Sequence, residues 1–237
     1  MSTDGSALYE RFAALQSDVV ADVLDEMGLQ DQIVSVAIQP LVPQMRVAGP
    51  AFCIRGEAAP GSTIEATKET GKPSYELFRH MYDGCVAVVE TGGYGVAGPW
   101  GENTAISAHA RGCRGAIIDG GTRDSLELAE MRFPTFVRFS SAARVEGRWR
   151  HTEFQTPIEL PGQVGANVTV TPGDVVVADA DAIVVVPQAI APEVAALGEE
   201  LARIEEEMRR ELASGVDREE VYRRHDRYAH IPKGPRT

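Results

Sequence analysis

The chain has 237 residues, 43% of them hydrophobic and 24% charged, a globular composition that argues against disorder and suits one decorated domain or two small ones. Its 23 basic and 35 acidic side chains leave a net charge of −12 and a pI near 4.9. An acidic chain without a basic patch repels phosphate backbones and anionic bilayers, so neither nucleic acid nor membrane is an expected partner.

The N-terminus MSTDGSALYE carries neither a basic nor an apolar signal region, and no apolar run is long enough to span a bilayer. A cytoplasmic location is therefore expected. Cys53, Cys85 and Cys113 are far apart, odd in number and lack a CxxC spacing. That excludes a disulfide framework and a cysteine zinc site and leaves small buried hydrophobes.

In chain order, Leu8, Phe12, Leu15, Val19, Val23 and Met27 recur every three or four residues, which predicts one helix over 7–27 stopped by Gly28. Residues 33–38 and 46–55 read as strands, 56–72 as a polar loop and 75–82 as a helix. An alternation follows. CVAVVE (85–90) is a short apolar run typical of a strand buried on both faces. A Gly-rich loop over 92–101 leads to an Ala-rich helix over 102–111. GAIID (115–119) is a second buried strand, 123–131 a short helix and 135–139 a third strand. Strand–helix–strand–helix–strand implies crossovers and a parallel sheet. Short strands then fall over 168–170, 175–178 and 183–186. Pro192 opens a long helix with a narrow apolar stripe (Val194, Leu197, Leu201, Ile204, Met208, Leu212), expected to pack on another surface, a neighbouring subunit being one candidate. A shorter helix covers 218–227, and the tail from Ile231 reads as loose.

Gly93–Gly98 matches GxGxxG after a strand, but Pro99, Trp100 and Gly101 intervene before any helix. A dinucleotide fingerprint needs the helix to start inside the motif, so this segment reads instead as a loop ending in helix N-terminal amides able to hold a carboxylate. Gly120-Gly121-Thr122-Arg123-Asp124 follows GAIID, at the end of a parallel strand where ligands bind. Arg123 suits a carboxylate; Asp124 either caps its own helix or binds a cation. Because both loops follow adjacent parallel strands, they are expected to face each other. Together they offer Glu102, Arg123, Asp124 and the amides near Asn103 and Thr104. Carboxylate oxygens with waters suit Mg²⁺ or Mn²⁺ rather than zinc, and a keto acid is a fitting ligand. The five histidines have no metal spacing, and His109 reads as structural.

At GENTAISAHARGCRGAIIDGGTRD the chain resembles the RraA-like family, which includes the 4-hydroxy-4-methyl-2-oxoglutarate/4-carboxy-4-hydroxy-2-oxoadipate aldolases. The residues carrying the resemblance are Gly101, Glu102, Arg111, Gly112, Gly115, Asp119, Arg123 and Asp124, supported by AGPAFCIRG (48–56) and PGDVVVADADAIVVVP (172–187). Glu102 stands where many members have Asp, and Ala182 where glycine is usual. The resemblance implies an α/β/β/α sandwich of the swivelling β/β/α type over residues 1–190, a C-terminal helical extension over 191–237, and assembly as a trimer or dimer of trimers. It implies that Asp124 holds Mg²⁺ or Mn²⁺ largely through waters. Arg123 would act in catalysis by gripping the keto-acid end and stabilising the enolate, with Gly101, Glu102, Asn103 and Thr104 binding the carboxylate. Glu102 and Asp22 would share the catalysis, Asp22 reaching in from a neighbouring subunit.

The implied reaction is cleavage of a 4-hydroxy-2-oxo acid to pyruvate and a keto acid, with oxaloacetate decarboxylation beside it. The residues agree with a metal route rather than a Schiff base, since only Lys68, Lys72 and Lys233 are present, in a polar loop and the tail. The alternatives are a ribonuclease regulator acting by protein binding, or a lyase for a different acid.

Overall fold

The computed structural model describes residues 3–61 and 74–234. Lys68, Lys72 and most of the expected 56–72 loop lie outside the described residues.

The architecture follows from where the apolar residues must go. One sheet runs in the order β1 (Gln39–Pro40), β6 (Thr135–Val137), β4 (Gly115–Asp119), β3 (Val86–Glu90), β2 (Val47–Ala58), β11 (Val175–Ala178), β12 (Ile183–Val186). Strands β2, β3, β4 and β6 are parallel, as the alternation predicts. β2 is shared by two pairings on one edge: its first half takes β11 antiparallel and its second half β8 (Trp149–Phe154) antiparallel. A separate hairpin, β9 (Ile158–Pro161) with β10 (Asn167–Val170), completes the second layer.

Three apolar layers result. Val86, Val88 and Ile117 face Val176, Ile183, Ile158 and Val170 between the two β layers. Ala87, Val89 and Ile118 point the other way, onto helices α3 (Ser74–His80), α4 (Glu102–His109) and α5 (Ser125–Glu130), through Leu77, Ala105, Ala108 and Leu128. Val175, Val177, Val184 and Val186 face α1 (Thr3–Ala14), α2 (Ser17–Glu26) and α6 (Ala191–Ala213) through Phe12, Val20, Leu24 and Val194. This is the α/β/β/α sandwich. The central strands are continuous apolar runs because alternate residues bury into different cores.

Several expectations are corrected. The single helix over 7–27 is two helices, broken at Gln16, whose backbone is extended. Asp179 causes the break: its carboxylate accepts the Ser17 N–H at 2.9 Å and the Ser17 hydroxyl at 2.5 Å, starting α2 anew. Residues 33–38 make only isolated bridges, Ile33 to Val184 and Val34 to Gly162. The strand expected over 46–55 runs on to Ala58, and β8 and β9 were not anticipated. The helix expected from Arg123 starts at Ser125.

The stripe of α6, expected to meet another surface, is buried within the same chain: Val194 and Leu201 pack against α1 and α2, and Met208 is buried as well. The tail is tied down rather than loose: Ile231 is buried, the Gly234 N–H donates to the Glu26 carbonyl at 3.0 Å, and Lys233 pairs with the Glu26 carboxylate. All three cysteines are free thiols and buried, as expected. Among the described residues no helix is long and apolar enough to cross a membrane.

Candidate functional site

Strands β3 and β4 lie side by side in register, Val86 opposite Gly115 and Glu90 opposite Asp119, so both chains leave the sheet at the same edge. The two loops meet there. Trp100 bridges Thr122 in parallel, the Arg123 N–H donates to the Trp100 carbonyl at 2.8 Å, and the Thr122 hydroxyl donates to the same carbonyl at 3.0 Å. Gly98 lies flat on this seam: a Cβ there would stand 2.5 Å from the Thr122 carbonyl carbon. Only the end of the GxGxxG segment, Ala97 and Gly98, is packed on this seam, while Gly93 and Gly95 border open space and Val96 is exposed; its helix begins only at Glu102.

Asp124 neither caps its own helix nor merely decorates the surface. It sits before α5 in the left-handed region (φ 56°, ψ 42°) and makes no side-chain bond to that helix. Its Oδ2 instead accepts the Glu102 N–H at 3.1 Å, at the N-terminus of α4. Gly101 makes room for this, since a Cβ there would stand 2.8 Å from Asp124 Oδ2. Left-handed backbone at a non-glycine residue is costly and clusters at functional sites.

A third wall completes the site. Strand β7 (Phe139–Ser140) pairs in parallel with β5 (Gly121–Thr122). The Ser141 N–H donates to the Thr122 carbonyl at 2.9 Å and its hydroxyl to the Val96 carbonyl at 2.9 Å. An open depression of about 390 Å³ is lined by Arg123, Asp124, Ser125, Glu127, Ser140 and Ser141. Asp124 is exposed and Arg123 half-buried. Among the described residues the Arg123 guanidinium has no ion-pair partner. A half-buried guanidinium without a carboxylate is available to a ligand's carboxylate.

Asp119 lies just below the turn, its carboxylate 2.5 Å from Arg138 Nε. Burial raises its pKa, against the opposing pull of Arg138 and with a smaller push from Glu90.

The structure therefore brings Gly101, Glu102, Arg123 and Asp124 together, and Asn103 and Thr104 follow Glu102 in the first turn of α4. It does not bring in Asp22. That residue lies on α2, in the outer layer opposite α4 and α5, and its Oδ2 accepts the Tyr228 hydroxyl at 2.6 Å. His109 ends α4, its ring edge-on to Phe133 at 6.2 Å, a packing role. Ser140 and Ser141 were not singled out from the sequence, where nothing but a short strand ending marks them.

Among the described residues no three His, Cys, Asp or Glu side chains cluster as a metal cage. A lone exposed carboxylate beside Glu102 does fit Mg²⁺ or Mn²⁺, which take one or two carboxylates and fill the remainder with water and substrate oxygens. It does not fit zinc.

A family model for RraA-like proteins, described as Aldolase/RraA, matches residues 18–185. A solved protein from microbes of the gut ecosystem, described among novel cellulases, is 28% identical, with 87% of this chain and 89% of that one covered and a TM-score of 0.78. An uncharacterized protein of Pseudomonas syringae is 24% identical over 91% of this chain and 96% of its own, TM-score 0.75. The Streptomyces coelicolor protein RraAS2, described as an unusual member of the RNase ES inhibitor family, is 22% identical over 86% and 96%, TM-score 0.72.

Proposed function

From the premise that this chain belongs to the RraA-like family, whose members include both aldolases and ribonuclease inhibitors, we propose that it is a divalent-metal-dependent lyase. It would cleave a 4-hydroxy-2-oxo acid to pyruvate and a second keto acid, and decarboxylate oxaloacetate as a side reaction. The observation that carries this reading is the half-buried Arg123 guanidinium, without an ion-pair partner among the described residues, next to an exposed Asp124 in left-handed backbone.

Asp124, with Glu102 beside it, would hold Mg²⁺ or Mn²⁺ largely through waters. The bound cation supplies Lewis-acid polarisation of the 2-oxo group. Arg123 binds the keto-acid end and faces the oxygen on which negative charge grows as the C–C bond breaks. The N–H groups of Asn103 and Thr104, at the positive end of α4, take the carboxylate. Glu102 is within the same turn and is the candidate to accept the proton of the 4-hydroxyl. Asp22 would contribute only from a neighbouring copy in a trimer or a dimer of trimers.

The test is pyruvate release from oxaloacetate and from 4-hydroxy-4-methyl-2-oxoglutarate, with Mg²⁺ and with EDTA, for wild type and Arg123→Ala. Turnover that needs both the metal and Arg123 supports the reading. Turnover indifferent to both overturns it. The likeness to RraAS2 favours one second reading, inhibition of a ribonuclease by direct binding. Tight binding to an immobilised ribonuclease E-type enzyme, with no turnover of either acid, would select it.

A further inference from the structure

The turn carrying Arg123 and Asp124 is gripped from below by groups that the proposed chemistry does not use. The Arg138 N–H donates to the Gly120 carbonyl at 2.9 Å, while its Nε stands 2.5 Å from Asp119 Oδ1. The Thr91 hydroxyl donates to the Asp119 carbonyl. Gly120 has no slack on the other side, since a Cβ there would stand 2.8 Å from Thr91 Cγ2. Arg138 therefore holds both the side chain of the last β4 residue and the first carbonyl of the turn.

The charges explain why this grip matters. Asp119 is in register with Glu90, which is held by Arg55 at 2.8 Å. Arg55, Glu90, Asp119 and Arg138 thus form a row across the ends of four parallel strands, basic outside and acidic inside. Alternation along β3 and β4 points Glu90 and Asp119 to the layer between the sheets, where Val88 and Ile117 are buried. The Asp119 side chain is only 7% exposed, and that of Arg138 35%. Without the guanidinium, Asp119 would be a buried carboxylate beside another carboxylate. Such a group takes up a proton or swings out, and either response moves the turn that follows.

We propose that Arg138 is a positioning residue: acting through Asp119 and the Gly120 carbonyl, it fixes Thr122, Arg123 and Asp124 in the arrangement that receives the cation and the oxo acid. The proposal rests on the lyase reading of this site. Arg138 touches neither reacting group.

Arg138→Met and Arg138→Lys are compared with wild type by Mn²⁺ titration followed by electron paramagnetic resonance, by kcat and KM for pyruvate release, and by amide hydrogen exchange of the turn. Arg138→Met is expected to weaken Mn²⁺ binding about 10- to 100-fold, as losses of a ligand's supporting partner do, with a matching fall in kcat/KM. The Arg123 amide should exchange faster while β3 and β11 amides keep their protection. Lysine should recover part of each loss. A folded Arg138→Met protein with Mn²⁺ affinity and kinetic constants within twofold of wild type overturns the proposal. If that variant does not fold, Asp119→Asn replaces it, and wild-type Mn²⁺ affinity there is equally fatal. A wild-type protein that binds no Mn²⁺ and turns over neither acid defeats the lyase reading instead. The strut is then judged by exchange alone, and an unchanged Arg123 amide in Arg138→Met overturns it.

Discussion

The Asp124 carboxylate accepts the Glu102 N–H at 3.1 Å, so the loop after β4 caps the helix that follows β3. This bond adds a side-chain link to the backbone seam between the two loops, and its removal has two separable effects. Asp124→Ala should cost about 0.5–2 kcal/mol as a lost helix cap and should abolish saturable Mn²⁺ binding. Asp124→Asn keeps an acceptor oxygen, so it should retain most of the stability and still lose the metal. Urea unfolding and Mn²⁺ titration on the same samples check the split.

Gly101 has extended backbone (φ −159°) that any residue adopts, so Gly101→Ala tests space alone. The new methyl would stand 2.8 Å from Asp124 Oδ2 and push the carboxylate away from the amide. The expected result is a fall of at least about tenfold in kcat/KM, in line with small misplacements of catalytic groups, with a loss of only about 1 kcal/mol in stability. Unchanged kinetics would show that the carboxylate position is not needed.

His151 packs against Trp149 (ring centroids 4.9 Å) and Phe154 (5.6 Å), and burial lowers its pKa to about 4. The unfolded chain binds this proton below about pH 6.5 while the folded chain refuses it. Its contribution is therefore complete above that pH and is lost on acidification, at up to about 1.4 kcal/mol per pH unit between about pH 6.5 and 4. His151→Gln should flatten that part of the stability–pH curve relative to wild type. Equal slopes in urea titrations at pH 7, 6 and 5 would contradict the assignment.

Asp179 holds the start of α2 from 162 residues away. Burial pushes its pKa up, but the hydrogen bonds from Ser17, Asp181 and Ala182 outweigh that and leave it lowered. Its contribution is present above the ordinary carboxylate range and disappears as the pH falls through its own value. Asp179→Ala should cost about 1–2 kcal/mol at pH 7 and less at pH 3, read from denaturation midpoints at the two pH values.

What was legible in the sequence divides along physical lines. The buried strands 86–90, 115–119, 175–178 and 183–186 announce themselves because both their faces are apolar. The meeting of the two loops follows from parallel strand order alone. The break between α1 and α2 is invisible because Leu15 and Val19 keep helical spacing across it, while its cause, Asp179, is remote in sequence. β8, with the sequence WRHTEF, hides because most of its side chains are polar, Trp149 and Phe154 being buried and the four between them partly buried. Within the site, Arg123 and Asp124 stood out by motif. The cap from Asp124 to Glu102 depends on a left-handed backbone, and the grip of Arg138 on a partner across the sheet, which no local pattern encodes.

Strand β2 pairs at Val47 with Ala178 and at Ala58 with Trp149 on a single edge. The antiparallel neighbours of its first half are thus made more than a hundred residues after it. A growing chain can assemble β2, β3, β4 and β6 with their helices while the other edge of β2 still has open N–H and C=O groups. Such an edge invites pairing with another strand, and long-range closure is slow. Folding during synthesis should therefore stall at this half-built stage until Val175–Val186 emerges. The interval when the protein is most prone to aggregate would be set by translation of its last third rather than by any weakness of the finished structure.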